Sequence, residues 1–160
     1  MPIPCKISLD AGTALVISTS APTLLIQGTN SSSKPIRLKR IELQSNNPGA
    51  SQQVIQLNYG FYTTASSTGG TTPTAVPVDE GLTGIYTPST TFRVNTTTLG
   101  TTFAQKRSWQ WNTANYFDLT EGMLEIQDEI PAGKVWALVI PTQPGSAVSV
   151  TGTIGFEEFG

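Results

Sequence analysis

The sequence predicts an all-β protein, an antiparallel β-sandwich or jelly roll with long polar loops. About nine or ten short apolar or alternating segments are separated by turn residues, and no segment has a convincing helical period. The clearest strands lie in the last third. Residues 134–141 are apolar at nearly every position, which indicates a strand buried on both faces, whereas residues 147–156 alternate strictly. We expect these two strands to form a hairpin through the turn at Pro144 and Gly145.

The other predicted strands follow in chain order, at residues 13–19, 23–28, 35–44, 53–62, 85–86, 91–95, 108–112, 116–119 and 123–127. The strand at 35–44 changes phase, because its apolar residues have even numbers up to Leu38 and odd numbers from Ile41. One extra residue around Lys39–Arg40, a β-bulge, would direct all of these apolar side chains to the core.

The chain divides into an N-terminal arm, residues 1–12, and a single sandwich domain, residues 13–160. The arm is expected to lie outside the sandwich, since Pro2 and Pro4 lack backbone donors and the segment is short of apolar surface. It would either add to an exposed strand of a neighbouring molecule or fray. Within the domain, residues 63–105 are expected to form a loop-rich excursion.

Composition limits the possible functions. The chain of 160 residues has no histidine, which removes the usual general base near neutral pH and imidazole metal ligation. The single cysteine, Cys5, cannot form an internal disulfide. A net charge of −2 disfavours nucleic acid as a partner, and no apolar run is long enough to span a membrane. Only 12% of residues are charged, and such an exterior suits self-association or simply a Thr-rich β-surface.

Two groups of residues are candidate contacts. Arg37, Lys39 and Arg40 form the only basic cluster, which is either a solvated strand or a contact with an acidic neighbouring subunit. Trp109, Trp111 and Tyr116 would serve as core packing, as anchors at a protein interface or as a stacking platform for sugar rings.

Carboxylates form a third group, at Asp118, Glu121, Glu125, Asp128 and Glu129. Paired carboxylates are the machinery of glycoside hydrolysis, and clustered ones can hold calcium. No recognised spacing fixes either arrangement here. We therefore expect exposed carboxylates at strand ends, no catalytic residues, no metal site and no cofactor.

The C-terminal third resembles the decoration (cement) proteins of tailed-bacteriophage capsids. The resemblance lies in residues 130–138, 141–145 and 148–158, with residues 37–42 as a matching early strand. It implies a non-enzymatic viral structural protein, a β-sandwich homotrimer that binds the major capsid protein at capsomer junctions on the outer capsid surface of the virion and stabilises the shell.

The alternative function is that of a carbohydrate-binding jelly-roll module or of the receptor-binding domain of a viral fibre. Either would use Trp109, Trp111 and Tyr116. The residues expected to contact the capsid or a second subunit are Pro2, Ile3, Pro4, Arg37, Lys39, Arg40, Trp109, Trp111 and Tyr116.

Overall fold

Strands dominate the computed structural model, which describes residues 1–9, 15–46, 52–66, 68–96, 98–120 and 129–159. The strands are β1 (Pro2–Ser8), β2 (Leu15–Ile17), β3 (Thr23–Thr29), β4 (Ile36–Ser45), β5 (Val54–Thr64), β6 (Val76–Pro77), β7 (Thr91–Thr96), β8 (Thr101–Asn112), β9 (Phe117–Thr120), β10 (Glu129–Ile130), β11 (Val135–Ile140) and β12 (Val148–Phe159). A 3-10 turn spans Glu80–Leu82. None of the described residues forms a helix long and apolar enough to cross a membrane.

The strands form two antiparallel sheets, which confirms the predicted β-sandwich. The first sheet has the order β10-β4-β12-β1-β6, with β2 also paired to β12 and β9 also paired to β4. The second sheet has the order β7-β3-β11-β5-β8. Alternate side chains of both sheets point inward and form one buried core between them. The finer assignment to a jelly roll stays a prediction.

The predicted bulge in β4 is confirmed. Gly155 of β12 lies opposite Arg40 and Phe156 lies opposite Leu38, so that Lys39 is the extra residue. The bulge returns the apolar residues on both sides of it to the core face, and Leu38 and Ile41 are each 1% exposed. It also places Lys39 and Arg40 together on the outer side of the sheet.

Strand β11 is buried on both faces, as its sequence predicts, but it does not form a hairpin with β12. It is the central strand of the second sheet, whereas β12 lies in the middle of the first. The link after residue 140 therefore crosses between the sheets. The inward residues of β11 join the main core, and its outward residues belong to a second apolar cluster made of Leu24, Tyr62, Val135, Ala137 and Val139, with Ala65 and Phe103 against it.

The N-terminal segment is a strand of the sandwich, so the expected arm outside the fold is wrong for residues 2–8. Strand β1 pairs with β12 along its whole length and with β6 on its other side. Cys5 and Ile7 are each 1% exposed in the core. The two prolines are accommodated because a strand needs only alternate backbone donors on each side.

The loop-rich excursion expected at residues 63–105 is only partly loop. It contains β6, β7 and the first residues of β8. The side chain of Gln27 holds Ser66 by two hydrogen bonds, of 2.8 and 2.9 Å, and thereby fixes the start of the excursion over the second sheet. The strand predicted at residues 123–127 lies outside the described residues.

Candidate interaction surface

Most of the predicted contact residues lie on one face of the molecule. The outward side chains of the first sheet form rows across its strands. One row consists of Pro4, Glu157, Arg37 and Glu129. Arg40, which follows the extra residue Lys39, lies in the next row. We call this outer side of the first sheet the charged face, because side chains of both signs alternate across it.

Ion pairs connect the charged face laterally. Arg37 contacts Glu129 at 2.8 Å and Lys39 contacts Glu157 at 3.6 Å. The guanidinium of Arg40 lies 2.6 Å from Glu42 on its own strand and 3.2 Å from Asp118 on β9. Surface pairs of this kind contribute little to stability. Their main effect is to hold long side chains in defined positions.

Tyr116 extends the charged face beside β9. It is 54% exposed, and its hydroxyl donates a hydrogen bond to the carboxylate of Glu42. That hydrogen bond is the main cause that raises the pKa of Tyr116 to about 12. A hydrogen bond from the Arg40 guanidinium to Asp118 likewise raises the pKa of Arg40. Arg40, Glu42, Tyr116 and Asp118 therefore form one continuous polar network.

An apolar margin borders the charged face. Pro2 lies opposite Phe159, over whose ring the Arg37 guanidinium sits at 5.3 Å. Next to Pro4, the edge strand β6 exposes Val76, and Val78 follows with half of its surface accessible. The predicted contact residues Pro2 and Pro4 thus lie on the same face as the basic cluster.

The structure does not bring Ile3, Trp109 and Trp111 to this face. Trp111 is 2% exposed, and its indole nitrogen donates a 2.8 Å hydrogen bond to the carbonyl of Asn115. Trp109 and Ile3 are partly buried against the main core. Both tryptophans pack against Phe117, at ring-centroid distances of 6.4 and 6.2 Å. A sugar-stacking platform of Trp109, Trp111 and Tyr116 is therefore not formed, because the tryptophans point inward from β8.

One functional group was missed by the sequence prediction. Glu158 has the inward parity of Phe156 and is 1% exposed. Its carboxylate accepts five hydrogen bonds, from the Tyr86 hydroxyl at 2.5 Å, from the Ser89 amide and hydroxyl at 3.0 and 3.3 Å, and from the Thr90 amide and hydroxyl at 2.7 and 2.5 Å. An acidic residue at an inward position of an alternating strand was the signal available in the sequence.

The hydrogen bonds decide the ionisation of this group. Burial alone would raise the pKa of Glu158, but the side chains of Thr90 and Tyr86 and the backbone of residues 89 and 90 lower it below its ordinary value. Burial and the contact with Glu158 in turn raise the pKa of Tyr86. An ionised Glu158 thereby ties the segment before β7 to the end of β12.

Only two of the five carboxylates in the predicted cluster lie within the described residues. Asp118 and Glu129 belong to the ion pairs of the charged face, whereas Glu121, Glu125 and Asp128 lie outside the described residues. Among the residues that the structure describes, no group of three or more side chains is arranged to hold a metal ion.

Comparisons with protein-family models, with curated proteins and with solved structures found no match to this chain.

Proposed function

We propose that this chain is a non-enzymatic structural protein of a bacteriophage virion, a decoration protein that binds the outer surface of the capsid at capsomer junctions and stabilises the shell. The observation that carries the proposal is the charged face. Six of the residues predicted as contacts meet on this single sheet surface, namely Pro2, Pro4, Arg37, Lys39, Arg40 and Tyr116.

The form of this surface supports binding to a protein shell. Small substrates are held in concave pockets that enclose most of their surface, whereas protein partners dock on broad exposed faces. The charged face is a regular sheet surface with an apolar margin at Pro2, Pro4, Val76 and Val78. This combination offers both apolar area and oriented charge to a large partner.

The ion pairs of the charged face favour docking in a defined orientation. Their side chains are already ordered, so that binding costs less side-chain entropy than it would for mobile lysines and arginines. On binding, charged groups of the shell can replace part of the interaction between Arg40 and Glu42. Such charges set the orientation and the association rate more than the affinity.

A homotrimer on the shell would supply the remaining strength. Three linked copies dissociate only when all of their contacts are broken together, which raises the effective affinity without any new contact. Shell expansion or rupture would then have to break these contacts as well as those between capsid subunits.

Mass spectrometry of purified phage particles tests the proposal. We expect the chain at a constant ratio to the major capsid protein. The Arg40→Ala variant should occupy severalfold fewer sites, with occupancy falling further at high salt because exposed charges are screened. Arg93→Ala, which removes a cation from the edge strand β7 of the other sheet, serves as the matched control and should keep normal occupancy.

Two results would contradict the proposal. The first is purified particles that lack the chain while the lysate contains it. The second is equal occupancy by the Arg40→Ala and wild-type chains at every salt concentration.

A further inference from the structure

A large aliphatic side chain is held in an exposed position at one edge of the sandwich. Ile85 is 81% exposed, although hydrogen bonds hold the turn that carries it. The carboxylate of Asp79 accepts a 2.9 Å hydrogen bond from the Gly81 amide, and the Ile85 amide donates to the Leu82 carbonyl at 3.0 Å. We call residues 79–86 the Ile85 turn.

The Ile85 turn is fixed to the core rather than free to collapse on it. Tyr86 follows immediately, and its hydroxyl binds the buried carboxylate of Glu158 at 2.5 Å. Exposing an aliphatic side chain to water is unfavourable relative to burying it. A rigid turn that presents Ile85 beside the exposed acidic residues Asp79 and Glu80 has the character of an interface anchor.

A groove of matching character lies elsewhere on the molecule. It has a volume of about 570 Å³, and its apolar wall contains Phe61, Ala104 and Pro131. Lys106 and Lys134 line it as well. Its one acidic residue, Glu129, is engaged by Arg37 at 2.8 Å. We call this depression the Phe61 groove.

The Ile85 turn and the Phe61 groove lie at opposite edges of the second sheet. One row of paired residues crosses this sheet in the order Phe92, Gly28, Trp136, Phe61 and Ala104. The Ile85 turn leads into the β7 end of that row through Thr90, which Glu158 also holds. The Phe61 groove lies at the β8 end. The two features are therefore separated by the full width of the second sheet within one copy.

We propose that the Ile85 turn of one copy inserts into the Phe61 groove of a second copy. Ile85 would occupy the apolar wall, while Asp79 and Glu80 would approach Lys106 and Lys134. Because the turn and the groove lie at opposite edges of one copy, two copies cannot make the contact reciprocally. The contact is therefore heterologous, and three is the smallest number of copies that closes it into a ring. The inference deepens the trimer of the proposed function and does not depend on capsid binding.

Sedimentation velocity of the full chain tests this contact. Ile85→Ser should weaken self-association by ~10- to 100-fold, the loss expected when one aliphatic side chain is no longer buried. Val54→Ser is the matched control, because Val54 is also exposed, at 63%, but lies outside both features. Lys106→Glu should weaken association as well, and Glu80→Lys in the same chain should restore part of it.

A mixture of two variants tests the head-to-tail arrangement. Ile85→Ser keeps an intact groove, and Ala104→Arg fills the groove but keeps an intact turn. At a concentration at which each variant alone is mostly monomeric, an equimolar mixture should form dimers but no rings.

Three results would overturn the inference. Wild-type chain that stays monomeric at high concentration would exclude the contact, whatever its occupancy on phage particles. Self-association of Ile85→Ser at wild-type strength would exclude this anchor. Loss of particle binding in Lys106→Glu, with unchanged sedimentation, would assign the groove to the capsid rather than to a second copy.

Discussion

Replacing Glu158 by Gln should destabilise the fold far more than a surface substitution. The carboxylate accepts five hydrogen bonds, and one of its oxygens receives both donors of Thr90. In a Gln side chain, an NH2 group takes the place of one of the two carboxylate oxygens. At least one buried N–H or O–H donor that faces this position then loses its acceptor.

The size of the loss follows from two contributions. Hydrogen bonds to a charged acceptor are worth roughly 1.5–3 kcal/mol each, about twice those to a neutral one, and an unsatisfied buried donor costs a further ~1–3 kcal/mol. We expect Glu158→Gln to lower the free energy of unfolding by ~3–5 kcal/mol. For a chain of this length, that corresponds to a decrease in Tm of roughly 6–20 °C.

The neighbouring residue provides a matched control. Glu157→Gln removes the same charge one position away, on the charged face, where the carboxylate contacts Lys39 at 3.6 Å. This exposed pair is worth at most ~1 kcal/mol. Urea denaturation of the wild type and both variants at neutral pH measures the two losses directly.

The pH dependence has a definite sign. The pKa of Glu158 is lower in the folded state than its ordinary value, so its stabilising effect is complete above that value. The effect is lost as the pH falls through the lower folded-state pKa. The difference in the free energy of unfolding between the wild type and Glu158→Gln should therefore become smaller as the pH falls. A loss no larger than that of Glu157→Gln, or a difference independent of pH, would refute this account of Glu158.

Three further predictions concern the core. Gly28→Ala should destabilise the fold by roughly 2 kcal/mol or more, because an added Cβ would lie 2.4 Å from Trp136 Nε1; thermal melts measure it, and an unchanged Tm would contradict it. Deleting residues 1–8 should prevent folding, since β1 buries Cys5 and Ile7 beside β12; a cooperative melt of the truncated chain would contradict it. Burial, with a contribution from the charge of Glu158, raises the pKa of Cys5 to about 12. Iodoacetamide should therefore label the native chain at pH 8 much more slowly than the urea-unfolded chain. Equal labelling rates would contradict this prediction.

Local patterns in the sequence predicted the sandwich well. The change of phase between Leu38 and Ile41 located the bulge. Successive side chains of a strand point to opposite faces, so a change in the alternation of apolar residues marks an extra residue. The segment at residues 134–141, apolar at nearly every position, likewise identified the central strand β11.

Strand partners were harder to predict, because pairing depends on residues far apart in the chain. The turn at Pro144 and Gly145 is equally compatible with a hairpin and with a crossing between sheets. Pro2 and Pro4 suggested an arm, yet β1 completes the first sheet between β12 and β6. Trp109 and Trp111 share one face of β8, and only the register with β5 shows that this face packs toward the core.

The candidate surface was predicted in part. The basic cluster was identified by composition, but its acidic partners Asp118, Glu129 and Glu157 are brought beside it only by strand pairing. Glu42 lies two positions after Arg40 on the same strand. Tyr116 joins the same network through Glu42. The Phe61 groove has no local signature, since it is assembled from segments that are distant in sequence. The Ile85 turn is continuous, but the contact that ties it to the core joins Tyr86 to the distant Glu158.

The most direct test of the proposed function is a cryo-electron microscopy reconstruction of purified phage particles. We predict sandwich-shaped density on the outer surface at capsomer junctions, with the charged face of β4 and β12 against the shell. Particles that contain the chain but place it away from the capsid surface, for example at a tail fibre, would contradict the central claim, and so would a bare shell.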